Sequence, residues 1–248
     1  MRIEILGCSG AVSRGYNTTS ILVNDCVLID AGSAASALND KALHGLRHIF
    51  LTHTHIDHLK ELPFILEPAL ADDSAGVTVW GSPETIAVLK DHVFNGAIWP
   101  DIQKIVEDEN RLRFACIEDL VEVEGLTIAA LPVDHIPGAV AYDLEQDGRH
   151  VLISGDTGFD SSLFEHAAGL GASLGAFFIE ASFPNRLGAL AEISKHLTPA
   201  LIGRGLTAGL APTCQLIAYH LKPKHLDEIL SELPEGARAI LGGEVFDF

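Results

Sequence analysis

The chain is short of cysteine and of positive charge, and it contains no long apolar run. Its four cysteines, Cys8, Cys26, Cys116 and Cys214, lie far apart and never form a CxxC pair. That spacing excludes a zinc ribbon and a thioredoxin-like motif, and each cysteine reads as a reduced thiol in an apolar or small-residue setting. Lysine and arginine number 16 against 34 aspartates and glutamates, a formal charge of −18. A balance so acidic argues against a phosphate-tracking surface, so no nucleic-acid partner is expected. No apolar stretch reaches the length of a membrane span, and no membrane partner is expected. Met1-Arg2-Ile3-Glu4-Ile5-Leu6 runs straight into strand-like sequence with no signal peptide, which predicts a cytoplasmic protein. Low-complexity tracts, repeats and Pro/Ser linkers are absent too, so residues 1–248 read as a single domain. At 48% hydrophobic, a chain of this length can bury a sizeable core.

What the chain does contain is concentrated in His53-Thr54-His55-Ile56-Asp57-His58. Arg47 to Thr52 before it reads as a buried strand, and Leu59 to Leu66 after it is apolar at helical spacing. The three imidazoles and the carboxylate therefore sit on one strand-to-helix turn, where side chains can converge. Neutral imidazole and carboxylate suit zinc, manganese and iron(II), and a lone ion needs only three or four of them. Four on one turn, with others downstream, suggest two metals sharing a water. A metal-free surface cluster would require neither the alternating spacing nor the buried strand before it.

Short strands are expected at Ile3 to Leu6, Ser20 to Val23, Val27 to Asp30, His48 to Thr52 and Val77 to Trp80. Ser82-Pro83-Glu84 then begins a helix, with serine as N-cap and proline at the first helical position. The second half repeats the scheme. Strands are expected at Leu126 to Val133, Ala139 to Asp143, Val151 to Ser154, Ala176 to Glu180 and Gln215 to Tyr219, and Ala239 to Leu241 could close the sheet. Helices are expected from Ser161, over Thr198 to Ala208 and from Pro223. This is an α/β (α+β) arrangement of two packed sheets with helices outside. Three polar residues fall where strands run out: His135, Asp156 in a glycine-flanked turn, and His220. Singly each reads as a loop histidine or a turn carboxylate; together, beside HxHxDH, they extend the metal site.

The order HTHIDH, His135, Asp156, His220 resembles the metallo-β-lactamase superfamily, and Ile29-Asp30-Ala31-Gly32 is similar to its first, acidic motif. The resemblance implies a four-layer αβ/βα sandwich. It also implies that His53, His55 and His135 hold one divalent metal, that Asp57, His58 and His220 hold another, and that Asp156 bridges them. Zinc is the expected ion, with manganese or iron(II) accommodated. Four further segments resemble class II cyclic-nucleotide phosphodiesterases: Phe94 to Pro100, Glu180 to Asn185, Ser194-Lys195-His196-Leu197-Thr198-Pro199, and His220-Leu221-Lys222-Pro223. Ile56 and Lys60-Glu61 depart from the usual pattern without touching the expected ligands.

The implied activity is hydrolysis of 3′,5′-cyclic AMP or GMP to the 5′-monophosphate by an attacking hydroxide shared between the metals, with Asp57 and Asp156 in the catalytic set. A leaving alkoxide needs a proton, and His196, just before a helix start, is the expected donor. A capping or core role for His196 is the plainer alternative. Asn17 and Thr18 are substrate-contact candidates, and Trp99 could stack on a purine or belong to the core. The segment around Phe94 to Pro100 would suit a homodimer contact. His44, His48, His92, His150, His166 and His225 show no partner pattern and read as structural or exposed. A ribonuclease Z-like tRNA nuclease shares the ligand set, but no basic tRNA-gripping insertion is present. A thioester, lactone or β-lactam hydrolase is a third reading that the ligands alone permit.

Overall fold

The computed structural model describes residues 1–70, 76–106, 108 and 110–248. The first sheet is built from β1 (Arg2–Gly7), β2 (Ser20–Val23), β3 (Val27–Ile29), β4 (His48–Phe50), β5 (Val77–Gly81) and β6 (Leu112–Cys116). The second takes β7 (Leu120–Val123), β8 (Leu126–Pro132), β9 (Val140–Gln146), β10 (Arg149–Ile153), β11 (Leu174–Glu180), β12 (Gln215–Tyr219) and β13 (Ala237–Ala239). The last strand, β14 (Val245–Asp247), returns to the first sheet and pairs with β1. Strand orders are β14-β1-β2-β3-β4-β5-β6 and β13-β12-β11-β10-β9-β8-β7. Each sheet is mixed: β3 to β6 run parallel, as do β10 to β13, and the remainder are antiparallel. Asp147-Gly148, with φ of 52° and 77°, makes the tight turn between β9 and β10 that suits the twist of a two-residue hairpin.

Alternation along the strands creates the layers. In β4, Phe50 points between the sheets and Ile49 points out beneath the helices. Ile3, Ile29 and Phe50 from one sheet meet Tyr142, Ile153 and Ile217 from the other in one shared core. Leu28, Ile49 and Val79 pack outward against Leu62 and Ile86, while Phe177, Ile179 and Leu216 pack against Phe164, Ile202 and Ile229. The result is the expected helix, sheet, sheet, helix sandwich. Among the described residues no helix is long and apolar enough to cross a membrane.

Several expectations need correction. The apolar run from Leu59 to Leu66 is not one helix but two single turns, Ile56–Leu59 and Leu62–Ile65. Pro63 lacks the N–H that would continue the first turn, so the backbone restarts there. The expected strand at Ala239 to Leu241 lies two residues earlier, and β6, β7 and β14 were not foreseen. β6, β7 and β14 are edge strands, with a neighbour on one side only, and β7 alternates between exposed and half-buried residues, a weak signal in sequence. Cys116, at the end of β6, is exposed rather than a core thiol. Cys8 is buried, and burial pushes its thiol up to about 12.

The carboxyl ends of β3, β4, β8, β10, β11 and β12 lead into Asp30, His53, His135, Asp156, Glu180 and His220 in turn. Phe178 on β11 meets Phe246 on β14 edge to face, with centroids 5.6 Å apart, and so links the two sheets. Replacing fully buried Phe178 with alanine is expected to cost about 3–5 kcal/mol through lost burial and a residual cavity. Urea unfolding monitored by circular dichroism checks this; a loss well under 1 kcal/mol would mean the contact does not bind the sheets together.

Candidate metal centre

The turn after β4 is shaped by a carboxylate outside the ligand set. Asp30, fully buried and in the left-handed region (φ 59°), accepts from the Thr52 amide and the Thr52 hydroxyl, both at 2.8 Å, and from His58 Nδ1 at 2.7 Å. Thr52 Oγ1 in turn lies 3.0 Å from His53 Nδ1, whose proton it accepts. A side chain at Gly32 would collide with the Asp57 carbonyl oxygen, so glycine there lets the two loops meet. The other histidines are held in the same manner. His135 Nδ1 donates to the Lys195 carbonyl at 2.9 Å. His220 Nδ1 donates to Ser182 Oγ at 2.9 Å, and that hydroxyl donates onward to Glu180 at 2.7 Å. With Nδ1 engaged, His53, His58, His135 and His220 each turn Nε2 inward.

The inward atoms converge. His53, His55, His135 and Asp156 offer ligand atoms all within 4.8 Å of one another, as do Asp57, His58 and His220. Asp156 Oδ2 stands 3.4 Å from His58 Nε2 and 3.8 Å from His53 Nε2, facing both groups. All seven residues expected from the sequence therefore lie together in the fold, and His196 joins Asp156 and His220 in a third group of possible ligands.

The donor set fits cations. His58 Nε2 and His220 Nε2 face each other at 3.3 Å, and His135 Nε2 faces His55 Nδ1 at 2.9 Å. His53 Nε2 and Asp156 Oδ1 are buried with no hydrogen-bond partner. Buried ring nitrogens and carboxylate oxygens packed this closely, two of them unpartnered, are costly unless positive charge lies among them. Burial holds His53 well below the ordinary imidazole value and lowers His55 and His135 as well, so these three are neutral and ready to coordinate. Against the effect of burial, Asp156 and Asp30 hold His58 well above that value. Burial works against ionisation of Asp57 and Asp156 too, yet their histidine neighbours keep both carboxyls below the usual carboxylate range. Imidazole nitrogen with carboxylate oxygen, in adjoining groups with Asp156 facing both His53 and His58, is donor chemistry suited to divalent cations.

A family model described as "Beta-lactamase superfamily domain" matches residues 25–199. The chain belongs to that superfamily. Its fold is that of the metallo-β-lactamases. Over 108 residues, 42% of the chain, it is 36% identical to 3′,5′-cyclic-nucleotide phosphodiesterase 1 of Saccharomyces cerevisiae, and the match covers 27% of that protein. Ribonuclease Z of a Synechococcus species is 29% identical over 161 residues, 60% of this chain and 50% of that one. The chain thus spans half or less of these two relatives. Unliganded yeast PDE1 superposes with a TM-score of 0.81 at 18% identity, covering 98% of each chain, which is a likeness of fold.

Around this superfamily core, His196 is buried beside the ligands, its ring 5.0 Å from that of His135 and 5.8 Å from that of His220. Its Nδ1 donates to Glu180 Oε1 at 2.8 Å. Burial would lower the His196 pKa, but the Glu180 carboxylate outweighs it and raises the value. Glu180 is a residue of this cluster that the sequence did not single out. The available signal was a carboxylate ending Leu174–Glu180, a strand buried at every position. Lys195 also went unnoticed. It adopts the left-handed conformation (φ 53°), gives its carbonyl to His135, and pairs with Asp134 through Nζ at 2.8 Å.

Other expectations do not reach the site. Thr18 is fully buried and bonded to Ser33, and the Asn17 amide donates to the Leu6 carbonyl, so neither faces the histidines. Trp99 packs edge to face on Phe64 at 5.1 Å within the helical layer, as the core alternative expects. His150 and His166 do have a partner: both lie 2.8 Å from buried Asp143, on strands and a helix away from the centre.

Asp30→Ala removes no ligand, yet it leaves the Thr52 amide and His58 Nδ1 without an acceptor. Zinc affinity is expected to fall about 10–100-fold. Competition with a chromophoric chelator measures it, and unchanged affinity would show that Asp30 does not orient the site.

Proposed function

We propose that the protein is a two-metal phosphodiesterase, opening the 3′ ester of cyclic AMP or cyclic GMP to give the 5′-monophosphate. The observation that carries this reading is the buried Glu180–His196 pair beside the seven-residue cluster. Phosphodiester cleavage needs positive charge at the phosphoryl oxygens and a proton for a poor leaving group, and the chain offers residues for both. The 36% identity with the yeast phosphodiesterase and the four segments resembling such enzymes support the substrate class.

His53, His55, His135 and Asp156 would hold one ion, and Asp57, His58, His220 and the shared Asp156 the other. Bound there, two divalent cations, zinc being best suited to the donor set, would polarise the phosphoryl oxygens and lower the pKa of a water. Asp57, a quarter exposed and 3.3 Å from His220 Nε2, would accept a hydrogen bond from the attacking water. His196 gives its Nε2 proton to the departing 3′ oxygen, while Glu180 holds Nδ1 and stabilises the charged ring until that transfer. Ser182 joins the two duties, since its hydroxyl lies within hydrogen-bond distance of both His196 Nδ1 and His220 Nδ1. Four unpaired cysteines accord with a cytoplasmic setting.

The match to ribonuclease Z favours a second reading, a tRNA 3′-end nuclease, but a charge of −18 weighs against gripping a polyanion. A hydrolysis panel of cyclic AMP, cyclic GMP, a bis-aryl phosphate and precursor tRNA separates them. Cleavage of the tRNA alone would transfer the assignment to the nuclease.

His196→Ala is expected to leave metal content intact and to lower turnover about 10²–10⁴-fold. Turnover equal to that of the parent would remove His196 from the mechanism. Because the raised His196 pKa keeps the ring protonated below it, activity should be present at lower pH and decline as pH rises through that value. Glu180→Gln, by removing the charge that raises it, should shift the alkaline limb to lower pH. An unmoved limb would show that another group controls it.

A further inference from the structure

Beside His196 lies a cavity of about 560 Å³ whose wall includes Phe159, Asn185, Glu192, Thr198 and Arg204. Its far side carries an unusual layering. Phe177 and Phe164 meet edge to face in the core, with centroids 5.8 Å apart, and Phe164 then stacks on Phe159 at 5.8 Å with planes 24° apart. Arg204, on the helix Pro199–Gly205, places its guanidinium carbon 3.7 Å from the centroid of the Phe159 ring. At that separation only a guanidinium lying roughly flat on the ring avoids collision. Among the described residues no hydrogen bond or ion pair engages the guanidinium, and Arg204 is exposed. The stack therefore begins in the core, ends in a charged plane at the cavity wall, and has its outer face open.

A flat guanidinium fixed on an aromatic ring is a platform for another planar group, and nucleobases stack on such platforms. The cavity's position specifies which part of a substrate it meets. In a cyclic nucleotide the leaving 3′ oxygen belongs to the ribose, so the sugar and base lie on the side of the proton donor. The neighbouring cavity of about 630 Å³, along Val133 to Val140, is lined by His135 but not by His196. We propose that the cavity beside His196 receives the nucleoside and that Arg204, held on Phe159, is the shelf on which the purine stacks. This rests on the phosphodiesterase reading and adds to it a residue that sets substrate preference.

The test compares the parent with Arg204→Ala and Arg204→Lys on cyclic AMP, cyclic GMP and cyclic CMP, with bis-aryl phosphate as a base-free control of the parent. Inhibition by 5′-AMP is measured against inhibition by ribose 5-phosphate. Loss of one stacked base corresponds to a KM increase of about tenfold or more for the purine substrates in Arg204→Ala. Arg204→Lys should lose nearly as much, because an ammonium has charge but no plane. In both variants the advantage of purine over cyclic CMP, and of 5′-AMP over ribose 5-phosphate, should shrink by a similar factor. A lysine variant with the parent's KM would show that charge rather than stacking operates, and an alanine variant with the parent's purine preference would show that the shelf is unused; either overturns the proposal. A parent that cleaves the aryl ester but no cyclic nucleotide overturns the substrate reading beneath it, a result distinct from both. Circular dichroism confirms folding, and the lysine variant decides the question alone if the alanine variant does not fold.

Discussion

An imidazole has two nitrogens, and fixing the proton on one frees the lone pair on the other. In this protein that constraint is applied four times, with Thr52, Asp30, the Lys195 carbonyl and Ser182 each receiving an Nδ1 proton. Their acceptors come from both sheets, so the inward direction of each Nε2 depends on the sandwich as a whole. The parallel runs β3–β4 and β10–β12 deliver their carboxyl ends to one rim, and the shared core behind them holds that rim rigid. The fold acts less as a container for the site than as a device for choosing tautomers.

Charge follows from the same arrangement. Buried carboxylates at Asp30, Asp156 and Glu180 would be costly in isolation, and each is surrounded by imidazoles or amide and hydroxyl donors. Asp156 faces both histidine groups, Asp30 braces one of them from behind, and Glu180 raises the pKa of His196. Three buried acids on one rim thus have three different duties, set by what each touches.

Much of the centre was legible in the sequence because its signals are local. HTHIDH occupies a single turn, and His135, Asp156 and His220 each follow a strand whose apolar run is plain. The family resemblance then supplied a grouping, and the geometry brings the same residues within ligand distance of one another, with His196 beside them. What escaped was non-local. Glu180 looks like the polar end of a strand until His196, 16 residues later, folds back upon it. His150 and His166 have no shared pattern, yet β9, β10 and a helix bring both to Asp143. Edge strands β6, β7 and β14 lack the double-sided burial that marks a strand in sequence. The broken helix after His58 failed for a different reason: apolar spacing continued through Pro63, but the hydrogen-bond ladder could not.

Lys195 joins two parts of the site through its backbone alone. Its carbonyl fixes His135, and its neighbour in the chain is His196, whose Nδ1 donates to Glu180. Consecutive Cα atoms are separated by about 3.8 Å whatever the side chains do. One peptide unit is therefore a ruler between the acceptor that orients His135 and the residue that carries the His196 ring. The helix Gly188–Ser194 ends at this unit, so the acceptor for His135 and the His196 ring hang from one helix terminus.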